Sequence, residues 1–283
     1  WLSLWLYTVP VTLLCRLAGL DVSLGALRWA AFPASTRQLW FISDYLVLLL
    51  CVPLLNRLLR GLPRRAHKGV LLVLAVPLIL YPTLFGQDGI LADTAWMFLY
   101  DYLLAAYLRR WPDNCLSQFL NRPAAALALG LGLPLANTAV RAVLEWQGAT
   151  DSKAFQYIAY YRTALGALPG LLAALALFHF FKNWDLGSNR FINALAGTTL
   201  GVYILHQVPV LRDFLWNGIF HAQAHHGSAG YTLLVIVLTF AGCAAIDALR
   251  TRLIMQPLQR SRAFTALCAK GDALAAEIAK PND

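Results

Sequence analysis

Thr199, Tyr203 and His206 recur at helical spacings of i, i+4 and i+7 within GTTLGVYILHQVPVLRDFLW at 197–216. A hydroxyl, a phenol and an imidazole therefore share one helix face. An imidazole changes charge near neutral pH, so this face can hold a sugar by hydrogen bonds or take part in proton transfer from a hydroxyl. Pro209 follows three residues later. It cannot donate to the carbonyl of Leu205, which the spacing leaves as an open acceptor beside the ring. A buried histidine satisfied by a neighbouring helix accounts for the same pattern. Arg212 and Asp213 add charge at the end of the stretch.

Other residues offer narrower chemistry. The basic run RLLRGLPRRAHKG at 57–69, with Arg64, Arg65 and Lys68, reads either as an orientation signal or as a place for the phosphates of a cofactor. In HAQAHH at 221–226, His221 and His225 are four apart but have no acidic or cysteine partner nearby, so no metal site is expected. His179 in FHFFKNW is explained by an aromatic-rich membrane boundary. No phosphate-cradling glycine loop, nucleophile elbow or paired zinc motif is present.

The elements that must position these residues follow from composition. Of the 283 residues, 59% are hydrophobic and 13% charged, and the mean hydropathy is +0.58, outside the range of soluble domains. The apolar residues form about eight blocks of bilayer length, near 2–20, 39–59, 70–85, 95–108, 124–144, 164–181, 192–211 and 231–249. These blocks are rich in Leu and Ala and do not alternate, which predicts an all-α, polytopic transmembrane helix bundle and argues against a β-barrel. Pro10, Pro53, Pro77, Pro134, Pro169 and Pro209 are expected to kink it. Residues 1–249 form the transmembrane domain, and 250–283 a cytoplasmic tail whose short surface helix gives way to disorder at KPND. The five cysteines are an odd count and imply no disulfide framework.

Lys and Arg crowd the loops at 57–68, 109–122 and 182–190 and the C-terminal tail, which the positive-inside rule makes cytoplasmic. That placement absorbs the net charge of +9 without a nucleic-acid partner. In this orientation Arg16, Asp44, Asp101, Asn137, Arg141 and His206 fall at a shared depth toward the outer face. A watery pocket or a set of interhelical ion pairs would produce such a layer. Periodicity alone stops at a polytopic membrane protein with an outward polar pocket.

The stretch at 197–216 resembles a signature of the acyltransferase-three family of integral membrane acyltransferases. There a Gly, an aliphatic, Tyr, two aliphatics and His recur as a unit, here from Gly201 to His206. FPASTRQLWFISDYLVLLLCVPLLNRLL at 32–59 resembles a second signature, that of the surface-polysaccharide O-acyltransferase branch, through Pro33, Trp40, Phe41, Tyr45, Pro53, Leu55 and Asn56. The resemblance implies about ten membrane helices with both termini cytoplasmic. It also implies an N-terminal portion ahead of Trp1 that carries the family's Arg and His pair and a Ser-Gly-Tyr-like motif. Gln207 and Val208 replace the Asp and Asn common in this branch, and Asp44 stands where a small residue is commoner.

What the resemblance implies is an O-acetyltransferase of a bacterial cell membrane, multi-pass, with acetyl-CoA as donor and no metal. Its acceptor is a cell-surface polysaccharide or a lipid-linked saccharide precursor. Arg64, Arg65 and Lys68 would hold the CoA phosphates, and Trp40, Asp44, Tyr45, Asp101, Arg141 and Arg212 would receive the acceptor. His206 and Tyr203 would support a main base lying upstream of Trp1. Membrane lipid is the remaining expected partner. A saccharide or lipid-linked-substrate transporter or flippase is the competing class, favoured by internal repeats that the sequence does not show.

Overall fold

A computed structural model describes residues 2–36, 39–89, 91, 93–163, 166–185, 187–225 and 228–278. Arg37, His226 and the KPND end at 280–283 fall outside them. All regular structure among the described residues is helical. In chain order the helices are α1 (Leu2–Leu17), α2 (Leu24–Ala31), α3 (Trp40–Gly61), α4 (Arg64–Phe85), α5 (Thr94–Arg110), α6 (Cys115–Leu120) and α7 (Pro123–Trp146). There follow α8 (Lys153–Thr163), α9 (Leu168–Asn183), α10 (Arg190–Gln207), α11 (Pro209–Ile219), α12 (Ala229–Gln259) and α13 (Arg262–Ile278).

Polar residues mark the starts of several apolar helices. Asp93, Asn114, Asn189 and Ser228 each turn a side-chain oxygen toward backbone N–H groups of the first turn, at 2.9 to 3.4 Å. Those donors have no partner within the helix itself. α4 begins six residues before the expected block at 70, because Arg64, Arg65, His67 and Lys68 form its first turns. It ends at Gly86, whose φ of 62° reverses the chain.

Prolines divide into two groups. Pro10, Pro53 and Pro134 lie inside helices, and Pro77 opens a π-helical turn at Val76–Leu80 within α4. Pro169 and Pro209 instead begin helices, where a missing N–H costs nothing. The expected block at 192–211 is thus broken after Gln207, and α11 leaves α10 at 80°.

By length and composition α3, α4, α7 and α12 can each cross a membrane, and the bent pair α10 and α11 would make a fifth span. Leu4–Leu17 and Leu168–Asn183 are shorter apolar helices. Only 6% of the apolar window of α7 is buried, so its Leu and Val side chains face outward. Lipid accommodates such a surface, whereas water does not.

The chain forms two compact units, Trp1–Leu46 with Ser188–Lys280, and Val47–Gly187. The first has a core of Leu4 and Tyr7 from α1, Ile42 from α3, Ile204 and Leu205 from α10, and Cys243 and Ala244 from α12. The second gathers Leu71, Leu78 and Ile79 of α4 against Met97, Tyr100 and Leu103 of α5. Small residues bring its helices close: a Cβ on Gly130 of α7 would lie 2.7 Å from Leu177 of α9.

Candidate functional site

In the first unit, α10 delivers Tyr203 and His206 to the first turns of α3. The rings of Tyr203 and His206 meet edge-to-face at 6.1 Å, and Tyr203 meets Phe41 at 5.6 Å. Phe41 stacks on Tyr45 at 6.3 Å and meets Trp40 at 6.0 Å. Asp44 is 6% exposed on the same turns of α3. The result is a patch of four aromatic rings carrying one imidazole.

Hydrogen bonding assigns the tautomer of His206. Its Nδ1 lies 2.7 Å from the carbonyl oxygen of Val202, which only accepts, so Nδ1 carries the proton. Its Nε2 lies 3.2 Å from the amide nitrogen of Gln207, which donates, so Nε2 is the acceptor. The Gln207 side chain thus occupies the accepting nitrogen of the ring.

One expectation fails at this site. The Leu205 carbonyl is not open beside the ring, because the N–H of Val208 reaches it at 3.4 Å and the Ile204 carbonyl at 3.1 Å. The bend at Val208 turns its own N–H back onto the end of α10. Thr199, on the same face of α10, is exposed and its hydroxyl donates to the carbonyl of Ala196 at 2.8 Å. Arg212 sits on α11 beside Asp213 at 3.5 Å, both partly exposed.

The first unit also holds a buried polar cluster that the sequence reading missed. The Tyr7 hydroxyl donates to the Asp247 carboxylate, and Arg250 grips the same carboxylate at 3.0 Å with its guanidinium 4.2 Å above the Tyr7 ring. The expected tail at 250–283 begins with Arg250. In fact α12 continues through residues 249 and 250, and Asp247, 3% exposed, turns the guanidinium inward. The spacing of Asp247 and Arg250, i and i+3 at the end of an apolar block, was the available signal.

The second unit holds the other predicted residues. Arg141 pairs with Glu145 one turn along α7 at 2.8 Å and lies over Phe155 at 5.4 Å, and makes no interhelical ion pair among the described residues. Asn137 donates to the Ile158 carbonyl at 3.1 Å. Asp101 lines a cleft between α5 and α9. Arg64 is tied to Asp113 at 2.7 Å, and Arg65 and Lys68 are exposed on the same turns of α4. The Arg64 guanidinium beside Asp113 holds its carboxyl below the ordinary range.

A cavity of about 610 Å³ lies against α3 and α5, lined by Asn56, Arg60, Tyr102, Arg109 and Arg110. Tyr102 donates to the Asn56 side chain at 2.7 Å, and Arg110 donates to the carbonyls of Leu62 at 3.2 Å and Arg60 at 3.3 Å, fixing the end of α3. Three guanidinium groups thus surround a space from which Arg64, Arg65 and Lys68 are absent. Arg60, Arg109 and Arg110 were legible only as orientation charges.

A family model described as an acyltransferase domain matches residues 1–248. No curated protein and no solved structure matches the chain.

Proposed function

The chain belongs to the acyltransferase-three family, and from this we propose that it transfers an acetyl group from acetyl-CoA to a hydroxyl of a cell-surface polysaccharide or its lipid-linked precursor. The observation that carries the acceptor side is the patch formed by Trp40, Phe41, Tyr45 and Tyr203 around His206. Aromatic faces take the apolar faces of sugar rings, and an imidazole with an accepting Nε2 accepts a hydrogen bond from a hydroxyl. Transfer forms a bond from the sugar oxygen to the acyl carbon and breaks the bond from that carbon to sulfur. The hydroxyl proton passes to a base and CoA leaves as the thiol.

In this scheme the Lys and Arg asymmetry makes the loops at 57–68, 109–122 and 182–190 and the C-terminal end cytoplasmic, in a multi-pass protein of the cell membrane with about eight helices crossing it. The donor enters at the basic cytoplasmic side, where Arg64, Arg65 and Lys68 contribute field beside the cavity of Arg60, Arg109 and Arg110. The acceptor meets the patch around His206. His206 and Tyr203 act as positioning groups, aided by Asp44.

The test is reconstitution of the protein with radiolabelled acetyl-CoA and a membrane fraction carrying lipid-linked saccharides. Label transferred to an alkali-labile ester on saccharide supports the reading. Label found only on protein or phospholipid, or none at all, overturns it.

A further inference from the structure

In the second unit a cleft of about 570 Å³ runs between α5 and α9. Leu104, Leu108, Leu171 and Phe178 make its walls apolar, and Arg109 and Lys182 stand at the ends of the two helices that the charge asymmetry places in the cytoplasm. Asp101 lies eight residues back from Arg109, about 12 Å deeper at 1.5 Å per residue. Ala105 and Arg109 line both this cleft and the basic cavity beside α3.

His179 sets the chemistry of the cleft. It is 2% exposed, and its Nδ1 lies 3.0 Å from the side-chain oxygen of Asn121, which also accepts from the amide of Asn183 at 2.9 Å. This assignment satisfies both donors and puts the proton on Nδ1. Nε2 is then an acceptor, buried and without a hydrogen-bond partner among the described residues. His179 lines both the cleft and a smaller cavity of about 230 Å³ that Asn121 also lines, and since Nδ1 bonds Asn121, Nε2 lies on the other side of the ring. A buried acceptor left open is costly, and a ligand N–H or O–H would satisfy it.

We propose that this cleft receives the phosphopantetheine arm of the acyl donor, with Arg109 and Lys182 at its phosphates and His179 Nε2 accepting from an amide N–H. The inference rests on the acyl-CoA reading above. Two cations over an apolar slot describe any phosphate-headed amphiphile, but two acceptors below them, His179 and Asp101, select among such ligands. A phospholipid carries no N–H or O–H group below its headgroup, whereas the pantetheine arm carries two amide N–H groups and a hydroxyl. The nucleotide end then falls in the adjoining cavity of Arg60, Arg109 and Arg110, and the shared Arg109 joins the two halves.

The experiment measures binding of CoA and of adenosine 3′,5′-bisphosphate, which lacks the arm, to the protein in phosphatidylcholine nanodiscs. Ala174→Trp fills the cleft from an exposed position on α9, and His179→Leu removes the acceptor. Each is expected to weaken CoA by about tenfold while leaving the bisphosphate unchanged. Arg109→Ala should weaken both. Equal loss of both ligands in Ala174→Trp and His179→Leu, or parental CoA affinity in both, overturns the cleft assignment. Loss of retained phosphatidylglycerol from Ala174→Trp at unchanged CoA affinity would make the cleft a lipid groove and overturn it too. Failure of the parent protein to bind CoA would instead sink the donor reading itself.

Discussion

Gly201 of α10 faces Asp247 of α12 so closely that a Cβ at 201 would lie 2.4 Å from the Asp247 carboxyl carbon and 2.5 Å from the Tyr7 hydroxyl oxygen. Neither neighbour can step aside, because Arg250 and Tyr7 hold the carboxylate within a buried cluster. Gly201→Ala is expected to force α10 away from α12 and cost about 1–3 kcal/mol. Thermal unfolding in detergent measures it, and an alanine variant as stable as the parent would contradict this packing.

The same cluster predicts an asymmetry between single and paired substitutions. Asp247→Asn leaves the Arg250 guanidinium, only 13% exposed, without its counter-charge, which should cost about 3 kcal/mol. Asp247→Leu combined with Arg250→Met removes both charges and should cost much less. If the double variant is as unstable as the single one, the carboxylate contributes something other than charge compensation.

How far the sequence carried the fold is clear from particular helices. Block length and composition placed α3, α7 and the start of α12 within a few residues, because lipid-facing runs carry their own boundary in hydropathy, whereas α12 runs ten residues past the expected end at 249. The apolar block at 70 begins inside α4 because four basic side chains occupy the helix's opening turns, and the block at 192–211 passes Pro209 because apolar residues continue on both sides of the bend. At the site, the three-residue spacing of Tyr203 and His206 was legible, but the interposition of Phe41 was not. Partner choice explains the rest: Arg141 with Glu145 and Arg250 with Asp247 sit at helical i,i+4 and i,i+3 spacings that announce them, whereas Arg64 meets Asp113, 49 residues along the chain, and no spacing rule announces that pair.

Asp113 gives a test on the cytoplasmic side. Its folded carboxyl is depressed by Arg64, so the contribution of this link is present above the ordinary carboxylate range and is lost as pH falls through the depressed folded value. Carbon-13 NMR of labelled aspartate should show Asp113 titrating lower in the parent than in Arg64→Ala. Asp113→Ala should free Arg64 for phosphate and raise CoA affinity by about two- to threefold at low salt, with the gain fading as ionic strength rises. Unchanged affinity at low salt would place Arg64 outside the donor's field.

His206 carries the last prediction. Its ring, with Nδ1–H spent on Val202 and Nε2 held by Gln207, is arranged to exchange the Gln207 amide for an acceptor hydroxyl. Without that acceptor atom the hydroxyl loses its orientation, and misplacement raises the barrier of the transfer step. His206→Ala is expected to lower transfer to saccharide by about a hundredfold, with a raised KM for the acceptor and unchanged affinity for CoA. Gln207→Ala leaves Nε2 open and should hold transfer within a few-fold of the parent, which separates the ring from its neighbour. Structural failure is the rival explanation for the alanine variant. His206→Gln addresses it, since a glutamine keeps a hydrogen-bonding reach but cannot titrate near neutral pH, so it should assemble normally and lose part of the rate. Should His206→Ala and His206→Gln both assemble and both acetylate at the parental rate, the histidine only packs the end of α10, and the acceptor is held elsewhere.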